Sequence, residues 1–256
     1  MIIINARFLT QKVTGVQRYA IDLSRELKKL YPSVVFVSPE NVLNEEVAFE
    51  LGVIRVGFMS GYLWEQIELP KYAKNIGAAL VINLCNTGPV FYKNKLTVVH
   101  DVAFERFPEN FSLKFRLTYK FMIPLLIRTS RFVVTVSEFS RDEICDFYKI
   151  SKDLITIIPC AVSGVFKKNI QDEGSYILAV SSLSPQKNFA SLASAFSRLH
   201  SSSLELHIIG DVSKNFSMTG LNDIIEGNPN IKLLGRVSDA ELADIYAKAL
   251  CFVFPS

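Results

Sequence analysis

The chain has 256 residues, 49% apolar and 21% charged, a globular balance that excludes a disordered polymer. Its 28 basic and 25 acidic side chains leave a net charge of +3, too small to mark a nucleic-acid binder, and the excess sits in residues 1–165. The opening MIIINAR lacks the basic start and long apolar stretch of a secretion signal, and no run approaches the roughly 18 apolar residues of a membrane-spanning helix, so the chain reads as cytoplasmic.

In chain order, a first strand is predicted over 2–4, then a turn at Thr14 and Gly15. A helix follows over 16–30, with Val16, Tyr19, Ala20, Leu23 and Leu27 on one face. Strands follow over 34–37, 80–83, 96–100, 132–136 and 156–158, with a helix over 138–148 that Ser137 can cap. Residues 163–175 are polar and aperiodic and read as a linker. The alternation then restarts with strands over 176–180, 204–209, 231–234 and 251–254. Between them fall helices over 188–200, near 221–226 and over 239–250. Ser238 with Glu241 three residues on forms a capping box for the last of these. Strand–helix alternation predicts an α/β protein of two Rossmann-like domains, 1–165 and 166–256, the second cut short at its fourth strand.

Two features outside this pattern need a reading. The stretch 111–131 holds Lys114, Arg116, Lys120, Arg128 and Arg131, no acidic residue, and many aromatics. It reads as a buried helix with a solvated basic edge, kinked at Pro124; docking on an anionic membrane is the other reading. Cys85, Cys145, Cys160 and Cys251 are far apart, form no Cys-x-x-Cys pair, and read as buried free thiols.

The chemistry narrows by elimination. There is no Gly-x-Gly-x-x-Gly fingerprint, no Gly-x-x-x-x-Gly-Lys phosphate loop, no His-Glu-x-x-His and no Gly-x-Ser-x-Gly. Four spots remain, all at predicted strand ends, where α/β sheets bind ligands. Gly15, between the first strand and helix, lets backbone N–H groups approach an anion; it also serves as a plain turn glycine beside a surface Arg18. His100 and Asp101 close a strand, where His binds a sugar hydroxyl or moves a proton, or packs beside an Asp that caps a turn. In Ser181–Asn188, Lys187 lies near a helix N-terminus, where a cation is unfavourable unless an anion binds there. Gly210 with Asp211, and Gly235 with Arg236 and Val237, allow close approach of a nucleotide or simply make turns.

Taken in order, the segments NARFLTQKVTGVQRYAIDL, VVHDVAFERFPENFS, VTVSEFSRDEI, ITIIPCAVSGVF, AVSSLSPQKNFASLASAF, LHIIGD and IKLLGRVSDAELADIYAKALCFVFPS resemble the group 1 glycosyltransferases. These are retaining, nucleotide-sugar-dependent enzymes of the GT-B fold, and the chain is most similar to mannosyltransferase-type members of surface-polysaccharide pathways. The resemblance implies a complete acceptor-side domain over 1–165 and a partial donor domain over 166–256. It implies transfer of a hexose from a nucleoside diphosphate sugar, GDP-mannose, to a glycan or lipid-linked acceptor, with no cofactor and no bound metal. By the same resemblance Gly15 approaches the donor phosphates, His100 lies by the donor sugar at the reaction centre, and Lys187 neutralises the diphosphate leaving group. Gly235, Arg236 and Val237 contact the base, Ser182, Asn188 and Gly210 complete the donor side, and Arg18 and Asp101 fall on the acceptor side.

Departures from the family pattern carry expectations of their own. Ser181 and Ser182 stand where many members have Gly-Arg, and Cys160 and Ala161 where Asn-Gly is usual. The family continues past Phe-Pro-Ser into a Glu-Gly-Phe-Gly segment with a second glutamate, so the resemblance implies a chain cut short, weak or inactive in transfer and poorly stable in its second half. A non-catalytic protein that binds the acceptor or a partner is the alternative. Contact with the inner face of the membrane fits either reading.

Overall fold

The computed structural model describes residues 1–162, 164, 166, 174–184, 187–199, 203–210 and 221–256. The chain divides into two compact units, Met1–Ala161 and Val162–Ser256. The linker expected over 163–175 lies largely outside the described residues, as do Pro185, Gln186, His200 and Asp211.

The first unit runs β1 (Ile2–Asn5), α1 (Gly15–Leu30), β2 (Val35–Ser38), α2 (Glu45–Leu51), β3 (Ile54–Arg55), α3 (Gly61–Asn75) and β4 (Leu80–Asn83). It continues through β5 (Lys95–Val98), α4 (Ala103–Arg106), α5 (Leu113–Thr129), β6 (Phe132–Thr135), α6 (Glu138–Tyr148) and β7 (Ile155–Ile157). Among the described residues its sheet has seven strands in the order β3-β2-β1-β4-β5-β6-β7, paired in parallel throughout. Successive residues of a strand point to opposite faces. Ile4 and Phe36 therefore pack with Ala20 of α1 and Ala48 and Leu51 of α2. Ile3, Val37 and Val81 pack with Trp64, Leu69 and Ala73 of α3. With both faces covered, the strands read as continuous apolar runs. The chain leaves β1 for β2 on one side and returns to β4 on the other. This reversal opens a crevice at the carboxyl ends of β1 and β4.

Three expectations need correction in this unit. The strand expected over 96–100 ends at Val98, so His100 lies in the loop beyond it. Residues 39–79, left without elements by the sequence pattern, hold α2, β3 and α3. Their signals are weak because β3 is two residues long and α3 carries Pro70 in its interior. The stretch 111–131 does form a helix, α5, which runs through Pro124 and buries Met122, Ile123, Leu126 and Ile127. Phe115 and Tyr119 also pack against the core, but Leu113, Leu117, Phe121 and Leu125 are exposed.

The second unit contains β8 (Tyr176–Val180), α7 (Phe189–Ser197), β9 (Glu205–Ile209), α8 (Leu221–Glu226), β10 (Ile231–Gly235), α9 (Asp239–Ala247) and β11 (Ala249–Phe252). Its described strands are parallel in the order β10-β9-β8-β11. Ala179, Leu206 and Ile208 pack with Phe189, Ala193 and Phe196 of α7. Ser238 and Glu241 form the capping box: Glu241 N donates to Ser238 Oγ at 3.3 Å and Ser238 N to Glu241 Oε2 at 2.8 Å. The last strand begins at Ala249, not 251, because α9 stops at Ala247; Leu250 faces solvent from the strand instead of closing the helix. Leu233, Leu234, Phe252 and Phe254 are also exposed. Of the four free cysteines, Cys145 is buried and Cys85 partly so, but Cys160 and Cys251 are exposed, since both fall at the ends or edges of their sheets. Among the described residues no helix is long and apolar enough to cross a membrane.

Candidate functional site

At the carboxyl edge of the first sheet, β1 and β4 both end on asparagine. Asn5 Nδ2 donates to Asn83 Oδ1 at 3.0 Å and to Glu65 Oε1 of α3 at 2.7 Å. Arg7, in the tight turn after β1, donates from Nε to the same Glu65 oxygen at 3.1 Å and from Nη2 to Thr87 Oγ1 at 2.6 Å. Thr87 Oγ1 donates to Glu65 Oε1 at 3.1 Å. Glu65 Oε1 thus accepts three bonds, while its buried Oε2 has no partner among the described residues. The Arg7 guanidinium also lies over the Tyr62 ring at 4.9 Å. Asn5, Arg7, Gln11, Glu65, Cys85 and Thr87 help line a cavity of about 10 Å³, room for one water-sized group. Of these residues the sequence singles out Cys85 alone, as a free thiol, and none as a site residue. The available signal was a polar residue closing an apolar strand, seen twice, at Asn5 and Asn83.

Beside this cluster the structure brings two predicted spots together. Tyr19 of α1 meets the His100 ring edge-on at 4.8 Å, and Cys85 Sγ contacts Val16 O at 3.7 Å, so the start of α1 lies against the loop after β4. His100 is buried. Its backbone N donates to Asn86 Oδ1 at 2.7 Å, and Asn86 holds the left-handed conformation, φ 60°. Its Nε2 lies 2.8 Å from Leu84 O. A carbonyl can only accept, so Nε2 carries the proton and Nδ1 is left as an acceptor. Burial lowers the His100 pKa, opposed in part by the Leu84 carbonyl, and the ring is neutral at pH 7. Burial also pushes the Cys85 thiol up to about 12, which leaves it unreactive. Gly15 opens α1 with nothing within 4 Å of where a Cβ would stand, so packing does not require glycine there. Asp101 is exposed and accepts from Ala103 N at 3.1 Å, capping the turn into α4, while Arg18 is exposed on α1.

In the second unit three strand ends are tied together. Ser181 N donates to Ile209 O at 3.0 Å, and Gly210 N donates to Gly235 O at 2.9 Å. A Cβ at Gly210 would sit 1.7 Å from Ser181 O, so only glycine lets the loops after β8 and β9 come this close. Gly235 takes φ 68°, a conformation that favours glycine. Ser182 is exposed in the loop after β8. Lys187 N donates to Ser184 O at 2.9 Å, and its Nζ lies over the Phe254 ring at 4.8 Å. Asn188 precedes α7 with φ 51° and donates to Pro255 O at 3.4 Å, so it stands outside the helix that was expected to include it. Arg236 is exposed and Val237 half-buried in the turn before α9.

Two successive parallel-sheet units, each gathering polar side chains or bare backbone at its strand ends, are the architecture of a GT-B glycosyltransferase. Comparison with known proteins agrees. The sequence matches Glycosyltransferase Family 4 over residues 13–163 and Glycosyl transferases group 1 over residues 165–256. The chain belongs to the group 1 glycosyltransferases, its first unit to their Family 4 branch. It is 27% identical to the O-antigen chain mannosyltransferase RfbU of Salmonella typhimurium over 69% of this chain and 49% of that protein. It is 26% identical to the O-antigen chain mannosyltransferase B of Escherichia coli over 66% of this chain and 50% of that one. The chain therefore spans about half the length of these relatives. Among solved structures, Anabaena HepE in complex with UDP superposes with a TM-score of 0.73 at 15% identity, covering 100% of this chain and 73% of HepE. A glycosyltransferase from Rickettsia africae gives 0.68 at 18% identity, covering 97% and 70%. At such identities the likeness establishes the fold.

Proposed function

We propose that this chain acts in transfer of a mannosyl group from a nucleoside diphosphate sugar, GDP-mannose, to a hydroxyl of a glycan or lipid-linked acceptor in the making of a surface polysaccharide. The reading is supported by the O-antigen mannosyltransferases among its relatives. The observation that carries it is the closure of three strand ends around Ser181, Gly210 and Gly235, with Lys187 in the same loop that Ser181 opens. A diphosphate needs close backbone approach and a cation, and these residues offer both.

In this reading Gly235, Arg236 and Val237 face the base, and Ser182, Asn188 and Gly210 lie along the ribose and phosphates. As the bond from the sugar C1 to the diphosphate oxygen breaks, negative charge grows on the leaving group, and Lys187 Nζ stabilises it; Gly15, at the open start of α1, keeps the phosphate-approaching role that the family pattern gives it. His100, neutral and held through Nε2, accepts a sugar hydroxyl through Nδ1 and does not shuttle a proton through Nε2. Arg18 and Asp101 lie on the acceptor side. The acceptor oxygen bonds to C1 on the face the diphosphate leaves and passes its proton to the departing diphosphate oxygen, which retains the configuration. No cofactor or metal is required, and the chain works in the cytoplasm.

Calorimetric titration with GDP-mannose, GDP and UDP-glucose tests the reading. GDP-mannose is expected to bind at least about tenfold more tightly than UDP-glucose. Lys187→Ala should weaken GDP about 10–100-fold, the worth of a hydrogen bond to a charged group. Equal affinity for the two nucleotide sugars, or a Lys187→Ala variant that binds like the parent, would refute it.

A further inference from the structure

One short loop grips both the main chain and the ring of His100. On the side of β4, regular pairing of β5 ends at Asn83 and Thr97. Beyond that point the loop after β4 takes over. Asn86 N donates to Val98 O at 3.1 Å, and His100 N, two residues on, donates to Asn86 Oδ1 at 2.7 Å. On the side of β6 the sheet persists one residue further, with Val99 N donating to Val134 O at 2.8 Å. Asn86 therefore holds the chain before and after Val99, and Leu84 O, from the same loop, accepts from the His100 ring at Nε2.

Asn86 does this from the left-handed region, φ 60°. L side chains rarely adopt it, and asparagine is among the few that tolerate it. Among the described residues other than glycine, Lys149 and Asn188 share it, and both stand at helix ends. Asn86 instead lies between the exits of two strands. Such a conformation persists where its surroundings over-determine it, and it gathers at ligand sites. The far end of the loop is fixed too: Gln66 of α3 donates to Gly88 O at 2.7 Å and accepts from Val90 N at 2.8 Å.

We propose that Asn86 is a positioning residue for His100: its left-handed turn and its amide oxygen fix main chain and ring together, so that the imidazole offers Nδ1 as an acceptor to a hydroxyl of the transferred sugar. The inference rests on the reading that His100 meets that sugar, and it adds the residue that aims it. Position 86 must meet two demands, a positive φ and an acceptor within reach of His100 N. Glycine meets the first alone, while aspartate, which tolerates the left-handed region and keeps a side-chain oxygen, meets both. The pair Asn86→Gly and Asn86→Asp therefore separates the hydrogen bond from the backbone conformation.

Two readouts test it. The first is solvent exchange of the His100 ring proton at Nε2, followed by NMR with nitrogen-labelled histidine and assigned as the signal missing from His100→Gln. The chain has three histidines, so the spectrum is simple. Asn86→Gly should speed this exchange about tenfold, and Asn86→Asp should stay within about threefold of the parent. The second is calorimetry. Asn86→Gly should weaken GDP-mannose about tenfold, the upper end of what one hydrogen bond contributes, and leave GDP unchanged, because GDP lacks the sugar. Unchanged ring exchange in Asn86→Gly, an Asn86→Asp variant as fast as Asn86→Gly, or an equal loss of GDP and GDP-mannose would each overturn the proposal. So would a shift in the emission of the buried Trp64 in Asn86→Gly, which would assign Asn86 to the fold alone. A parent that binds GDP and GDP-mannose alike sinks the reading of the sugar site, and the ring exchange then decides the role of Asn86 by itself.

Discussion

Removing Arg7 from beneath the first sheet's edge should be among the costliest single changes in the chain. Its guanidinium and the Glu65 carboxylate are both buried, 3.1 Å apart, and share Thr87. Arg7→Met leaves a buried carboxylate with only Asn5 and Thr87 as donors. Breaking one partner of a buried pair typically costs about 3–5 kcal/mol, most of it the desolvation of the charge left behind. Trp64, the sole tryptophan, is fully buried one residue from Glu65 and donates to Val56 O at 2.7 Å. Its fluorescence therefore reports unfolding of the first unit alone. With a urea m value of roughly 2 kcal/mol per M, the loss moves the midpoint down by about 1.5–2.5 M. The double variant Arg7→Met, Glu65→Leu removes both charges and should recover about 2–3 kcal/mol of that loss. A single variant within about 0.5 kcal/mol of the parent, or a double variant that recovers nothing, would refute the account of this cluster as one electrostatic unit.

Lys95 offers a test of sign. It is fully buried, with Nζ donating to Val90 O, Tyr92 O and Thr129 Oγ1, and burial lowers its pKa to about 8. The unfolded lysine keeps its proton to about pH 10.4, so between pH 8 and 10 the unfolded state binds more protons and this residue's contribution to stability rises with pH. The urea midpoint of the parent minus that of Lys95→Met should therefore climb from pH 8 to pH 10; a flat difference would contradict the burial argument. Gly210→Val should drive the loops after β8 and β9 apart and lower the melting temperature of the second unit by circular dichroism, since its Cβ meets backbone, not a movable side chain. Gly15→Ala should leave thermal stability unchanged or slightly raised, because the space there is open and the residue is helical, yet weaken GDP in calorimetry. A parallel loss of stability and binding at Gly15 would argue that the glycine serves the fold.

The strands were the most legible part of the chain. β4 and β8 fall on the residues expected, because apolar runs in a covered parallel sheet leave a plain signal. The helices of the first unit were less so. α3 carries Pro70 and buries Trp64 and Glu65 side by side, so no helical stripe stands out. The site was legible wherever glycine or lysine broke a local rule, as at Gly210, Gly235 and Lys187. It was not legible where residues distant in sequence combine. Glu65 looks like a surface glutamate until the fold sets it 2.7 Å from Asn5, sixty residues earlier. The outward stripe of α5 was hidden for the opposite reason, since a helix apolar all round reads as buried.

The two sheet edges are built in different ways. The first uses side chains: Asn5, Arg7, Glu65, Asn83 and Thr87 are locked by one another, and their rotamers are fixed before any ligand arrives. All five are buried beside a cavity for one water-sized group, so the cluster fixes the strand ends and does not itself face a large ligand. The second uses backbone: Ser181 N and Gly210 N tie the strand ends to Ile209 O and Gly235 O, the bare Gly210 allows that close approach, and Lys187 stands in the adjoining loop as a point charge. That edge suits a diphosphate, whose charge asks for proximity more than for a particular pattern of side chains. The same division explains why substitution should act differently at the two edges. A change at Arg7 or Glu65 must disturb folding, because those residues hold each other. A change at Lys187, whose ammonium lies over the Phe254 ring, should act on ligand affinity while leaving the sheet intact.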